Sequence, residues 1–213
     1  MTIPAIITTC PNRPQCVNNT MLQVTEAGFP AKTKYVDGRT NSLSPSTGVR
    51  IGIIPSYRMA MAGHLRAGFD RFVVFQDDIL VAKGLHGWLE ENAPTEGVVS
   101  LYTASPHDGP DGWRRLDLEP KPNDPYPWHN CLGACAILWN KDAAEMILEQ
   151  PPPIRTDRLG GWIGDFCYHN NIPFWVHSPS LVQHIGEESV RAGAPLTTDR
   201  QAARFCEDVR ELQ

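Results

Sequence analysis

One ten-residue stretch constrains this chain more than any other: Arg71-Phe72-Val73-Val74-Phe75-Gln76-Asp77-Asp78-Ile79-Leu80. Phe72 to Phe75 is continuously apolar, β-branched and aromatic. Such a run forms a strand buried on both faces, in the middle of a parallel or mixed sheet. Two adjacent carboxylates follow it directly. Open α/β sheets bind ligands beyond the carboxyl ends of their strands, so Asp77 and Asp78 fall where a ligand is expected. Neighbouring carboxylates repel, and burial raises that cost. A divalent cation relieves it, because carboxylate oxygens suit magnesium, manganese or calcium. The plainer alternative is a helix cap or a solvated turn.

Strands and helices alternate on both sides of this stretch. Pro4 to Thr9 reads as a first strand. A helix follows from about Gln15 to Ala27, with Val17, Met21, Leu22 and Val24 on its inner side and Gly28 as its stop. Lys32 to Val36 reads as a second strand ending at Asp37-Gly38, which completes a βαβ unit with a polar tip. Pro55 to Gly68 reads as a helix carrying Tyr57, Met61 and Leu65 at helical spacing. Arg58, near its start, faces either phosphates or water. Leu85 to Asn92 is a surface helix, Gly97 to Tyr102 a strand, and Leu132 to Trp139 a buried strand. Asn140-Lys141-Asp142 opens a helix that runs through Leu148 and is closed by Pro151-Pro152-Pro153. Gly160 to Asp165 leads into a helical stretch from Phe166 to Asn170. Ile172 to Val176 is a last short strand, and the tail from about Thr198 to Leu212 reads as an amphipathic helix. The class is α/β: a mixed, mostly parallel sheet flanked by helices, in one domain of 213 residues.

Composition narrows the function. Hydrophobic residues make up 41% and charged residues 20%, which places the chain among soluble globular proteins. No apolar stretch approaches the roughly 18 residues of a membrane span, and Met1-Thr2-Ile3-Pro4 does not open a secretory leader. A cytoplasmic protein with no membrane partner is expected. The formal net charge of −5 argues against a dedicated nucleic-acid binder, although it leaves room for a local basic patch. Cys10, Cys16, Cys131, Cys135, Cys167 and Cys206 form no C-x-x-C pair and read as small buried hydrophobes. Residues 103–130 are irregular and hold Trp113, Arg114, Arg115, Trp128 and His129 among prolines and acids. Such a loop either grips a polar partner by stacking and hydrogen bonding or is anchored to the core by its tryptophans.

The order of these motifs resembles that of the GT-A glycosyltransferases, which use nucleotide sugars and usually a divalent metal. The resemblance runs from Pro4 to about Ser189. The first strand and Asp37 resemble that fold's nucleotide-binding half. Gln76-Asp77-Asp78 resembles its acidic metal motif, more often D-x-D or E-D-D. Leu132 to Asp142 resembles its middle strand and following helix. Gly161-Trp162 to Asp165 resembles the segment with the catalytic acid, and Pro179 to Gly186 the segment in which a late histidine completes the metal site. Two departures stand out: Gln76 replaces the first acid, and Asp165 is a single acid where many inverting members have a pair.

The resemblance implies a Rossmann-like GT-A domain, with a donor half at about 1–102, an acceptor and catalytic half at about 103–190, and a helical tail at 191–213. It implies Mn2+ or Mg2+ held by Asp78 and His184, and a nucleotide sugar, most simply a UDP-sugar, bound by Thr9, Arg13, Asp37, Arg58, Gln76 and Asp77. It implies Asp165 as the base that takes the acceptor's proton, against the simpler reading of a helix cap. The acceptor side falls to Trp113, Arg114, Arg115, Trp128 and Trp162. The acceptor itself is open. Small enzymes of this kind in bacteriophages include some that glycosylate hydroxymethylated DNA bases, so modified DNA stands beside glycans and proteins, in the cytoplasm of a bacterium or of a phage-infected host cell. Two other readings compete. A nucleotidyltransferase acting on sugar phosphates shares the fold but has a glycine-rich loop after strand one, where this chain has Thr8-Thr9-Cys10-Pro11-Asn12-Arg13. A non-catalytic nucleotide- or sugar-binding module is expected to lose its metal ligands, and both candidates are present here.

Overall fold

The computed structural model describes residues 2–9, 14–30, 34–37, 53–119, 133–151, 159–185 and 201–212. A seven-stranded sheet runs through all of it, in the order β2 (Lys34–Asp37), β1 (Ala5–Thr9), β3 (Arg71–Gln76), β7 (Ala136–Asn140), β5 (Val98–Ser100), β8 (Phe174–Ser178) and β6 (Gly112–Arg115). β1, β2, β3, β5 and β8 share one direction, while β7 and the edge strand β6 run against them. A separate two-stranded ribbon pairs β4 (Ile79–Val81) with β9 (Val182–His184), antiparallel.

β3 lies near the middle because its sequence allows nowhere else. Phe72, Val73, Val74 and Phe75 are all fully buried, and their alternate side chains feed two separate cores. On one face, Val73 and Phe75 join Ile7, Leu138 and residues of α1 (Pro14–Glu26), α3 (Leu85–Asn92) and the β4–β9 ribbon. On the other, Phe72 and Val74 join Ile137, Trp139 and residues of α2 (Ile53–Arg66), α4 (Lys141–Glu149) and α5 (Leu159–His169). Burying several large side chains at about 1.5–3 kcal/mol each makes a slip of β3 by one residue prohibitive. A polar link crosses the second core: the Trp139 indole N–H donates to the Tyr57 hydroxyl at 3.0 Å.

Tyr57 and Met61 are fully buried, as their spacing predicts, and α3 spans the expected residues. The differences are instructive. On α1 the buried stripe is Val17, Thr20, Val24 and Ala27, while Met21 and Leu22 are 37% and 62% exposed. A polar residue takes the inner position because it bonds there, as described below. α5 begins at Leu159, earlier than its glycines imply. Gly161 and Gly164 are buried in the helix, so close packing overrides their low helix propensity. The short strands β4, β6 and β9 are too brief for periodicity to reveal. The tail is not an amphipathic helix. Residues 201–208 follow a bent, non-helical path, bridging Ser180 through Phe205 and Lys83 through Asp208, and only Val209–Leu212 forms a 3-10 turn. Its backbone groups bond outward, as in the Cys206 N–H to the Ser180 carbonyl and the Lys83 N–H to the Glu207 carbonyl. Cys135, Cys167 and Cys206 are free and buried, whereas Cys16 is half-buried. Among the described residues, no helix is long and apolar enough to cross a membrane.

Gly97 leads into β5 with φ of +73°, and a side chain there would collide with the Pro173 carbonyl. Replacing Tyr57 with Phe leaves the Trp139 N–H buried without its acceptor. A loss of about 1–3 kcal/mol is expected, read as a lower urea midpoint with an unchanged slope.

Candidate functional site

The carboxyl ends of β1, β2 and β3 are in register, with Thr9 opposite Asp37 and Thr8 opposite Gln76. β3 delivers Gln76 to this edge, and the chain turns through Asp77 and Asp78 into β4. Both aspartates are buried, at 6% and 9% exposure. Their turn is held from two sides. The Thr20 hydroxyl on α1 donates to the Asp77 carbonyl at 2.9 Å, and the Ile185 N–H donates to the Asp78 carbonyl at 2.9 Å. This bond explains why threonine faces inward on α1.

Pairing of β4 with β9 sets Ile79 opposite His184. The imidazole therefore arrives beside the carboxylate, with His184 Nε2 3.4 Å from Asp78 Oδ2. His184 Nδ1 is buried and has no hydrogen bond among the described residues. Two donors each about 2.1 Å from one hard cation, at right angles or somewhat wider, stand roughly 3.0–3.4 Å apart. The pair therefore fits such an ion and leaves most of its coordination sphere open. Among the described residues, no group of three or more His, Cys, Asp or Glu side chains gathers to hold a metal, so the remaining ligands of any ion here would come from elsewhere.

Asp165 lies within α5, well inside the helix rather than at its cap. It is half-buried, and burial raises its carboxyl above the usual carboxylate range while His169, one turn on, pulls it back. α5 packs on the face of the sheet opposite the β4–β9 ribbon, and no contact joins Asp165 to Asp78 or His184 among the described residues.

Two expectations are corrected, and one open alternative is decided for Trp113. Arg58 does not face phosphates. Its guanidinium donates to the carbonyls of Ile147, Leu148 and Gln150, the carbonyls that the end of α4 leaves without helical partners, and lies 5.7 Å from the Trp162 ring centroid. Trp162 is 4% exposed and belongs to the core beneath α5, so it offers no surface to an acceptor. Trp113, on β6, is an anchor: its ring packs 4.8 Å from His177 and 5.8 Å from Trp88. Arg114 is half-buried with its guanidinium close to Gly109, and Arg115 is exposed. Arg13 and Trp128 lie outside the described residues, and Thr9 and Asp37 are described as strand positions only.

His177 is a residue the sequence reading passes over. It is 3% exposed, with Nδ1 2.8 Å from the Pro179 carbonyl. Burial, the largest influence, lowers its pKa. No local sequence pattern marks it, because its position opposite Trp113 is a pairing that only the fold makes.

No family model matches this sequence, and no curated protein matches it either. Solved structures do. A glycosyltransferase involved in glycosylation of the major capsid of PBCV-1 is 14% identical, with 88% of this chain and 94% of that one covered and a TM-score of 0.51. A197 from STIV is 11% identical over 93% of this chain and 92% of that one, with a TM-score of 0.48. A protein described as a glucose-1-phosphate thymidylyltransferase, from Bacillus anthracis, is 15% identical over 84% and 69%, with a TM-score of 0.46. The fold assignment rests on the first of these. Together with the strand order and the acidic turn after β3, it gives the chain the GT-A-type fold of glycosyltransferases.

Because folding holds the His177 pKa below its ordinary value near 6.5, the unfolded chain binds the proton more readily. Its contribution to stability is complete above about pH 6.5 and is lost as pH falls from there through the lower folded value. The melting temperature is expected to drop between pH 7.5 and pH 5, and less steeply in His177→Asn.

Proposed function

We propose that this chain is a metal-dependent glycosyltransferase that moves a sugar from a nucleotide diphosphate, most simply a UDP-sugar, to an acceptor hydroxyl. The observation that carries the reading is the Asp78–His184 pair, 3.4 Å apart at the carboxyl edge of the sheet, where α/β folds hold their ligands.

Asp78 Oδ2 and His184 Nε2 would hold a manganese or magnesium ion. When bound, such an ion supplies Lewis-acid stabilisation to the departing diphosphate. The protein's share of the work is orientation. Thr20 and Ile185 fix the turn so that the carboxylate is already in place, which avoids reorganisation during reaction. Thr9, Asp37, Gln76 and Asp77 are assigned to the nucleoside and ribose, and Arg13 to the phosphates. Arg58 is withdrawn from that set. Asp165 is assigned as the base that accepts the acceptor's hydroxyl proton, since burial moves its carboxyl toward neutrality, where general bases work best. A glycan acceptor accords better with a net charge of −5 than modified DNA does. The nucleotidyltransferase reading lacks its phosphate-binding glycines in Thr8 to Arg13. The chemistry belongs to a cytoplasmic compartment, where nucleotide sugars are made.

A thermal-shift panel of nucleoside diphosphates and nucleotide sugars, with and without manganese, checks the donor site. One diphosphate family at a hundredfold excess over its dissociation constant is expected to raise the melting temperature by about 5–10 °C, only with metal. Asp78→Ala and His184→Ala abolish that shift. No metal-dependent shift with any nucleotide would overturn the reading. With donor and acceptor in hand, Asp165→Asn is expected to lower kcat by about 10²–10⁴-fold and leave the donor KM nearly unchanged.

A further inference from the structure

A second candidate site lies at the other side of the sheet's carboxyl edge. Three strand spacings separate β3 from β8, roughly 14 Å. There, between the end of β8, the start of β6 and the tail, is a cavity of about 340 Å³, toward the small end of ordinary ligand sites (about 300–1,000 Å³).

His177 lines it. Its Nδ1 faces a carbonyl, that of Pro179. A carbonyl only accepts, so Nδ1 must carry the proton, and Nε2 of the neutral ring is an acceptor. Nε2 has no hydrogen bond among the described residues. The bond to Pro179 orients the ring, and Trp88 and Trp113 pack against it at 5.1 and 4.8 Å. Ser178 and Cys206 also line it, but the Ser178 hydroxyl is engaged by the Gly109 N–H and the Asp108 side chain, and the Cys206 thiol donates to the Asp208 carbonyl. Asp111 and Glu211 bring carboxylates. Arg204 also lines it, but its guanidinium is engaged by Asp108, Asp111 and the Gly109 carbonyl. Pro179, Phe205 and Leu212 supply apolar wall.

Such a cavity selects a ligand that donates several hydrogen bonds, presents C–H surface and carries no charge. Asp111 is already paired with Arg204, and an anion would also meet the Glu211 carboxylate, so the wall offers hydrogen-bond acceptors rather than a concentrated charge for an ion. We propose that this cavity binds one unit of an uncharged saccharide, with a sugar hydroxyl donating to His177 Nε2 and others to Asp111 and Glu211. If the glycosyltransferase reading holds, the cavity is a remote subsite for a glycan acceptor whose reacting end lies at the Asp78–His184 edge. The saccharide site itself stands on its own geometry.

The full chain is applied to an array of neutral and amino-substituted oligosaccharides, and hits are titrated by tryptophan fluorescence, which Trp88 and Trp113 beside His177 make sensitive to occupancy. Binding of neutral glycans is expected, weakened at least tenfold in His177→Leu and several-fold in Glu211→Gln. Glu211 is exposed, so its variant keeps the test valid if His177→Leu fails to fold. Binding of no glycan, binding only of ammonium-bearing ones, or binding unchanged in the folded variants would overturn the proposal. The nucleotide-and-manganese thermal shift is read in parallel. Its loss in the wild type alongside retained glycan binding would remove the donor site and keep this one, and the reverse pattern would do the opposite.

Discussion

Two neighbouring carboxylates at the end of a strand buried on both faces set the terms for this structure. Asp77 and Asp78 are buried, and charge in that position is tolerated only with compensation. The surrounding elements fix both residues in place. α1 turns a threonine inward to hold the turn through the Asp77 backbone carbonyl. The chain builds β5 to β8 before β9 returns, pairs with β4 and sets an imidazole against the Asp78 carboxylate. The two-stranded ribbon exists outside the main sheet, and its register is what brings residues 78 and 184 together.

The two faces of the sheet carry different duties. The face with α1, α3 and the ribbon holds the Asp78–His184 pair and the aromatic group around His177. Among the described residues, the face with α2, α4 and α5 is knit by polar contacts within the protein. There Arg58 closes the end of α4 and lies over Trp162, and Tyr57 accepts from Trp139. Asp165 is on this second face, and burial alone sets its carboxyl apart from an ordinary surface acid. Any reaction joining Asp165 to the ribbon must take place over the carboxyl edge, where the two faces meet.

Much of this was legible in advance. The run Phe72 to Phe75 announces a central strand, and the acids that follow fall at its carboxyl end. Tyr57 and Met61 announce the inner side of α2. What escaped notice did so for physical reasons. Thr20 breaks an apolar stripe, and its reason for facing inward is a carbonyl 57 residues away. Arg58 reads as a phosphate ligand because arginine serves equally well for a helix end, and the carbonyls it meets are about 90 residues away. The tail has the charge pattern of a helix, yet the free backbone edges of Ser180 and Lys83 offered its peptide groups better partners.

The sequence by itself determined the α/β class, the central strand and the placing of two carboxylates at its end, because strand burial and helical spacing are local patterns written in consecutive residues. Tertiary structure alone decided that His184 meets Asp78, that Arg58 and Trp162 belong to the core, and that His177 fronts a cavity with its acceptor nitrogen unused by any described residue. Each of these depends on a pairing register or a close approach between distant segments, and the energy that selects it arises only when both partners leave water together.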